Sequence, residues 1–235
     1  MQTILLVPLL AVLAAAVPSY PHVTPAPLAN KRDLTQITVT MVNSMAAPLT
    51  TAIASNPGVP PLASGAASLE GTLSAGGTAS IVAPQGWAGN IAVGLANYTA
   101  LYMPSLMEAS LMTKSQSDPG FSFDIDVSYV NGYTVPIICT CNDDKTFLSG
   151  CSEDLWGQNK CGAGGETDEA DKGVCTNPTN NGSFTGTAAT PFFKPCEGKA
   201  YTYPSDDDAN SNGKCAGGSA TCCVGTTADG CPSAS

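Results

Sequence analysis

Leu34-Thr-Gln-Ile37-Thr-Val39-Thr-Met41-Val42 alternates apolar and polar residues, as a strand does when one face meets a core and the other meets water. Thr78-Ala-Ser-Ile-Val82, Asn90-Ile-Ala-Val-Gly94 and Phe121-Ser-Phe-Asp-Ile-Asp-Val-Ser-Tyr-Val130 continue the series. Between them lie turn-forming stretches such as Asn56-Pro-Gly58, Pro60-Pro61 and Pro84-Gln-Gly86. Short strands at this spacing predict a mainly β chain folded as a β-sandwich. The composition agrees, since 24 Gly and 18 Pro among 235 residues, with aromatics at 6%, leave little material for long helices.

Ahead of this region, residues 4–16 form an uncharged apolar run with small residues at its exit. Residues 1–17 are therefore expected to be a secretory signal peptide, the run being shorter than the roughly 20 apolar residues of a membrane-spanning helix. Residues 18–32 are proline-rich and end in the dibasic pair Lys31-Arg32, so they are expected to be a propeptide, with the mature chain starting at Asp33. His22 and Arg32, the single histidine and the single arginine, fall in the part removed. Taking Lys31 and Arg32 from the nine basic residues leaves seven against nineteen acids, a formal charge of −12. Without histidine there is no Ser-His-Asp or Cys-His constellation and no histidine zinc site. An acidic chain offers nothing that tracks phosphates, which excludes nucleic acid. Proton-transfer chemistry falls to carboxylates, and neither a metal nor a cofactor is implied.

The ten cysteines, Cys139, Cys141, Cys151, Cys161, Cys175, Cys196, Cys215, Cys222, Cys223 and Cys231, all lie in the second half, together with thirteen of the nineteen acids. An even number in a chain that begins like a secreted one predicts about five disulfides, with the pairing left open. Residues 33–138 are expected to form a sandwich core that holds itself together by apolar burial. Residues 139–235 are expected to form a disulfide-rich region whose C-terminal strands pack back on it. A short helix is expected at Ser152-Glu-Asp-Leu-Trp156, with Ser152 as its cap.

Four segments in order resemble the thaumatin and osmotin family. Phe123-Asp-Ile-Asp126-Val-Ser-Tyr-Val-Asn131-Gly132-Tyr133-Thr-Val-Pro136 is similar to the family's run of aspartate, aliphatic, serine, two variable residues, aspartate, glycine and aromatic. Ser105-Leu-Met-Glu108-Ala-Ser-Leu111 resembles the segment before it, and Cys151-Ser-Glu-Asp154-Leu-Trp-Gly157-Gln the short helix that opens the family's cysteine-rich region. Phe192-Phe193-Lys-Pro-Cys196, followed by Ala200-Tyr-Thr-Tyr203-Pro-Ser-Asp206-Asp207, resembles the C-terminal run. Larger plant members carry more cysteines, one of them in the first strand, so this chain resembles a shortened and fungal variant. The adjacent Cys222-Cys223 falls after the C-terminal run and not before it, so no pairing is transferred.

The resemblance implies a thaumatin-like sandwich with an acidic cleft that binds β-1,3-glucan and hydrolyses it weakly. The family's cleft glutamate falls on Glu108, its first aspartate on Asp126, its second on Asn131 and its third on Asp206 or Asp207. Its arginine falls on Asn90, so two cleft positions have lost their charge. Glycoside hydrolysis needs two carboxyls flanking the bond, and the expected pair is Glu108 as general acid and Asp126 as base or nucleophile. Tyr129 and Tyr133, four residues apart in a strand-like segment, share a face and are candidate platforms for a sugar ring. Tyr201 and Tyr203 read as core packing.

Asp208-Ala-Asn210-Ser-Asn212-Gly213 imitates the opening of a calcium loop, but its twelfth position is Ser219 and a polar turn is expected. Asn97-Tyr-Thr99 and Asn181-Gly-Ser183 are glycosylation sequons. The acid-rich Glu166-Thr-Asp-Glu169-Ala-Asp171 reads as solvated surface. The expectation is a secreted monomer, extracellular or in the cell wall, acting on a wall polysaccharide. The alternative is a noncatalytic effector or inhibitor with a protein partner.

Overall fold

The computed structural model describes residues 34–96, 103–113, 120–169, 171, 173–179 and 186–234. The expected signal peptide, the propeptide and both sequon asparagines, Asn97 and Asn181, lie outside these residues.

The opening alternation becomes β1 (Gln36–Asn43), whose Ile37, Val39 and Met41 are buried while Thr38 and Thr40 face outward. It pairs antiparallel with β4 (Thr78–Pro84) and parallel with β13 (Ser219–Val224). β9 (Ile137–Cys141) and β10 (Phe147–Cys151) complete a five-stranded sheet in the order β10-β9-β13-β1-β4. A second five-stranded sheet is wholly antiparallel. It contains β2 (Leu49–Ser55), β3 (Gly71–Leu73), β5 (Ala88–Leu95), β6 (Ser105–Thr113) and β7 (Phe121–Ser128) in the order β3-β2-β5-β6-β7. β8 (Gly132–Tyr133), β11 (Thr167–Glu169) and β12 (Val174–Thr176) make a small third sheet. The chain is mainly β, as expected. Its two α-helices among the described residues, α1 (Ala66–Leu69) and α2 (Leu155–Gln158), are single turns.

The two large sheets share one core. Ile37, Val39, Met41 and Ile81 from one meet Ile91, Val93, Met107, Leu111, Phe123 and Ile125 from the other, all buried. Each such side chain contributes about 1.5–3 kcal/mol by leaving water. The division of the chain at residue 139 is not a division of the structure. Cys139 lies inside β9, and β13 runs beside β1, so the first sheet is built from both halves and residues 33–138 do not form the sandwich alone.

The five disulfides are Cys139–Cys222, Cys141–Cys215, Cys151–Cys196, Cys161–Cys175 and Cys223–Cys231. The neighbouring Cys222 and Cys223 point to opposite faces of β13, as successive strand residues must, so each finds a different partner. Gly150 sits beside a register irregularity in β10 at φ 119°, where an added Cβ would lie 2.4 Å from the Ile137 carbonyl oxygen.

Three sequence expectations are corrected here. Asp154, not Ser152, caps α2, accepting from the Gly157 N–H at 3.0 Å, while the Ser152 hydroxyl donates to the Pro232 carbonyl. Glu166 is buried, not solvated, because its carboxylate accepts the Gly164 and Phe192 amides and ties β11 to the Phe192 segment. Tyr129 and Tyr133 are fully buried and offer no face to a ligand. Their rings pack edge-on at 5.1 Å, and Tyr133 continues into Trp156 and Phe192. The Tyr129 hydroxyl accepts from the Ile137 N–H at 3.0 Å, and the Tyr133 hydroxyl donates to the Glu153 carbonyl at 3.3 Å. Tyr133→Phe keeps the ring and removes one hydrogen bond, so about 1 kcal/mol of stability should be lost in denaturant unfolding, with no change in ligand retention. Reduced retention by a correctly folded Tyr133→Phe protein would restore the tyrosine to a binding role.

Candidate functional site

The second sheet turns an apolar face to the core and a polar face outward, and register decides which polar residues meet. Asn90 on β5 lies opposite Glu108 on β6, and Glu108 lies opposite Asp126 on β7. The three form a row across the strands on the outward face. Directly opposed residues carry their Cβ atoms about 4.5–5.5 Å apart, so these side chains are within mutual reach. The neighbouring row runs Ala88, Ser110, Asp124. The two rows line a cleft of about 250 Å³ together with Asn56, Gly89, Ala109 and Met112. Gly89 keeps its backbone close to β2, since an added Cβ would lie 2.5 Å from the Ala54 carbonyl oxygen.

β7 is the edge of this sheet, and the chain returns to cover it. Tyr201 donates its N–H to the Val127 carbonyl and accepts from the Tyr129 N–H, both at 2.8 Å. Further along, Gly213 donates its N–H to the Phe123 carbonyl at 2.9 Å, and the Ser122 hydroxyl bonds the Asn212 amide oxygen. Between these points Ser211 donates its N–H to Asp126 Oδ1 at 2.9 Å. Covered edges do not recruit foreign strands. Here the cover also forms the outer wall of the acid cluster.

Burial and mutual repulsion act together on the carboxyls. Asp126, 9% exposed, is pushed up to about 7 by burial first and by Asp124 and Glu108 besides, against the Ser211 amide and Lys214. Burial also raises Glu108, with Asp124 adding and the Ser128 hydroxyl opposing. Asp124 is raised by burial too, with hydrogen bonds from Ser211 and Asp126 and the charge of Lys214 opposing. Glu108 sits on the solvent side of the row, whereas Asp126 is buried beneath the covering segment. The sequence expectation puts the acid's proton on Glu108; both carboxyls are raised, Asp126 to about 7.

Of the residues expected in the site, the structure brings together Asn90, Glu108 and Asp126. It does not bring Asp206, which is buried and accepts from the Gly198 and Thr202 amides and the Thr202 hydroxyl, a turn-holding role. Asn131 lies outside the cleft, its carbonyl accepting the Asn177 amide. Asp207 is exposed beyond the cleft wall, and its charge helps raise the Tyr201 hydroxyl, which burial raises first. Tyr201 itself is partly exposed beside the acids, where core packing was expected, and its hydroxyl accepts from Asn210 Nδ2 at 3.0 Å. The calcium-like segment is spent on this wall and on its own turn, with Asn210 Oδ1 accepting from the Asn212 N–H.

Asp124 and Ser211 had no place in the sequence expectation. Asp124 was within reach of it, because it stands two residues before Asp126 in a predicted strand and so shares its face. Ser211 was not, since it reaches Asp126 from 85 positions away in the chain.

Fold and site together define a disulfide-rich β protein with an acidic cleft on one sheet face. No protein-family model matches the chain, and no curated protein matches it.

Proposed function

We propose that the protein is a secreted, thaumatin-like protein, fungal in origin, that binds β-1,3-glucan of cell walls in the cleft of Asn90, Glu108 and Asp126. The carrying observation is the register row itself. Three side chains separated in sequence, two of them carboxyls, stand side by side in one cleft. Amide and carboxyl groups in such a row hydrogen-bond sugar hydroxyls. Five disulfides support an oxidising, extracellular setting.

A weak endo-β-1,3-glucanase activity follows from the same row. Asp126, pushed up to about 7, is suited to be the general acid, and Glu108, on the solvent side of the row, is the base or nucleophile. Direct cross-strand opposition favours the short carboxyl separation of a retaining mechanism, about 5–5.5 Å. Among the described residues no aromatic ring lines the cleft, so sugar stacking contributes little there and the activity is expected to be low. The second reading, a noncatalytic effector or inhibitor with a protein partner, draws on the same absence.

The test is retention on insoluble β-1,3-glucan against cellulose and chitin, with released reducing sugar followed in the same tubes. Selective retention on β-1,3-glucan is expected. Glu108→Gln should abolish sugar release, a loss of at least about a hundredfold, while most of the retention survives. Retention on none of the three polymers would sink the glucan reading and favour a protein partner.

A further inference from the structure

We propose that Asp124 and Asp126 hold one proton between them and that Ser211 is the positioning residue that assigns it to Asp126. The inference rests on the acid-site reading above and asks where the acid keeps its proton.

The two aspartates are alternate residues of β7 and project from the same face, and one residue, Ser211, hydrogen-bonds both carboxyls. Two carboxyls so placed titrate as a pair, because the second charge is formed against the first. Ser211 meets both. Its N–H is fixed on Asp126 Oδ1 at 2.9 Å, which leaves the other Asp126 oxygen to carry the shared proton. Its hydroxyl accepts from the Ile125 N–H at 3.0 Å and has a single hydrogen to give. That hydrogen goes to the Ile125 carbonyl at 2.7 Å or to Asp124 Oδ1 at 3.3 Å. When Asp124 is charged the hydroxyl turns to it. Negative charge on Asp124 is therefore stabilised by Ser211, and a proton kept on Asp126 spares it a second charge on the same face.

Ser211 cannot drift from this place. It is buried, and its neighbours are pinned on both sides: Asn210 on the Tyr201 hydroxyl, Gly213 on the Phe123 carbonyl, and Cys215 by its disulfide to Cys141 in β9. The charged and titratable groups around the pair are Glu108 from β6, Lys214 from the covering segment, and Tyr201 with Asp207 beyond it. Lys214 offsets only part of the repulsion among the three carboxyls.

The experiment is a carbon-13 carboxyl NMR titration of the purified, disulfide-intact protein, with an amide spectrum of each variant to verify the fold. Asp124→Asn removes the neighbouring charge, and the Asp126 midpoint should fall by about one pH unit. Ser211→Ala removes the hydroxyl and keeps the amide. The first of the pair's two titration steps should then rise by about half a pH unit, with the second nearly unmoved. An Asp126 midpoint unchanged in Asp124→Asn overturns the sharing, and a wild-type titration in Ser211→Ala overturns the positioning role. No glycan is present in these samples, so failure of the glucan reading and failure of this proposal are separate results.

Discussion

Asp126→Asn should make the protein more stable at neutral pH, by about 2–4 kcal/mol, and should leave it nearly unchanged at pH 4. The ordinary carboxyl midpoint of 3.8 describes Asp126 in the unfolded chain, whereas in the folded chain it is pushed up to about 7. Between those values the folded protein binds a proton that the unfolded chain has released, so stability falls as pH rises from about 4 to about 7. Below that window both states are protonated, and above it both are charged and the whole cost is present. Asparagine cannot ionise, and its amide oxygen still accepts the Ser211 N–H. Denaturant unfolding of wild type and Asp126→Asn across pH 4–8 isolates this one group. Parallel curves would show that Asp126 titrates as an ordinary surface acid.

The second large effect concerns the disulfides. Cys139 and Cys222 are direct register partners on β9 and β13, and their bond closes a loop with a sequence separation of 83. Chain-entropy arguments assign such a loop about 4.5 kcal/mol, against about 2.5 kcal/mol for Cys223–Cys231, whose separation is 8. Replacing Cys139 and Cys222 together by Ala should therefore cost roughly twice as much stability as replacing Cys223 and Cys231. The larger bond acts where the two halves of the chain share a sheet, so its loss should also loosen β1 in hydrogen exchange. Equal losses from the two double replacements would show that the denatured chain does not set their contributions.

Local pattern was enough for the strands with clean alternation. The predicted segments at 34–42, 78–82, 90–94 and 121–130 lie on β1, β4, β5 and β7 with ends shifted by a few residues. β6, which carries Glu108, was read only through its resemblance to a known segment. The parallel pairing of β1 with β13 had no local signal, because it joins residues about 180 positions apart in the chain. The same limit explains the site. Asn90, Glu108 and Asp126 each pointed to one face of a strand, but only register put them in a row. Tyr129 and Tyr133 misled because the chain turns between the end of β7 and β8, so they share no strand face; both are buried against each other, with Tyr133 packed on Trp156 and Phe192. Asp206 misled because an aspartate in a turn is as useful to backbone amides as to a substrate.

The claim on which the functional account turns is that the row of Asn90, Glu108 and Asp126 meets the glycan. Nuclear magnetic resonance with a soluble β-1,3-gluco-oligosaccharide, following the Asn90 side-chain amide and the Glu108 and Asp126 carboxyls, tests it most directly. The account predicts saturable shifts at these three groups, with Trp156, exposed and outside the cleft lining, undisturbed. Saturation at Trp156 with the row unmoved, or no shift at any of them, would contradict it.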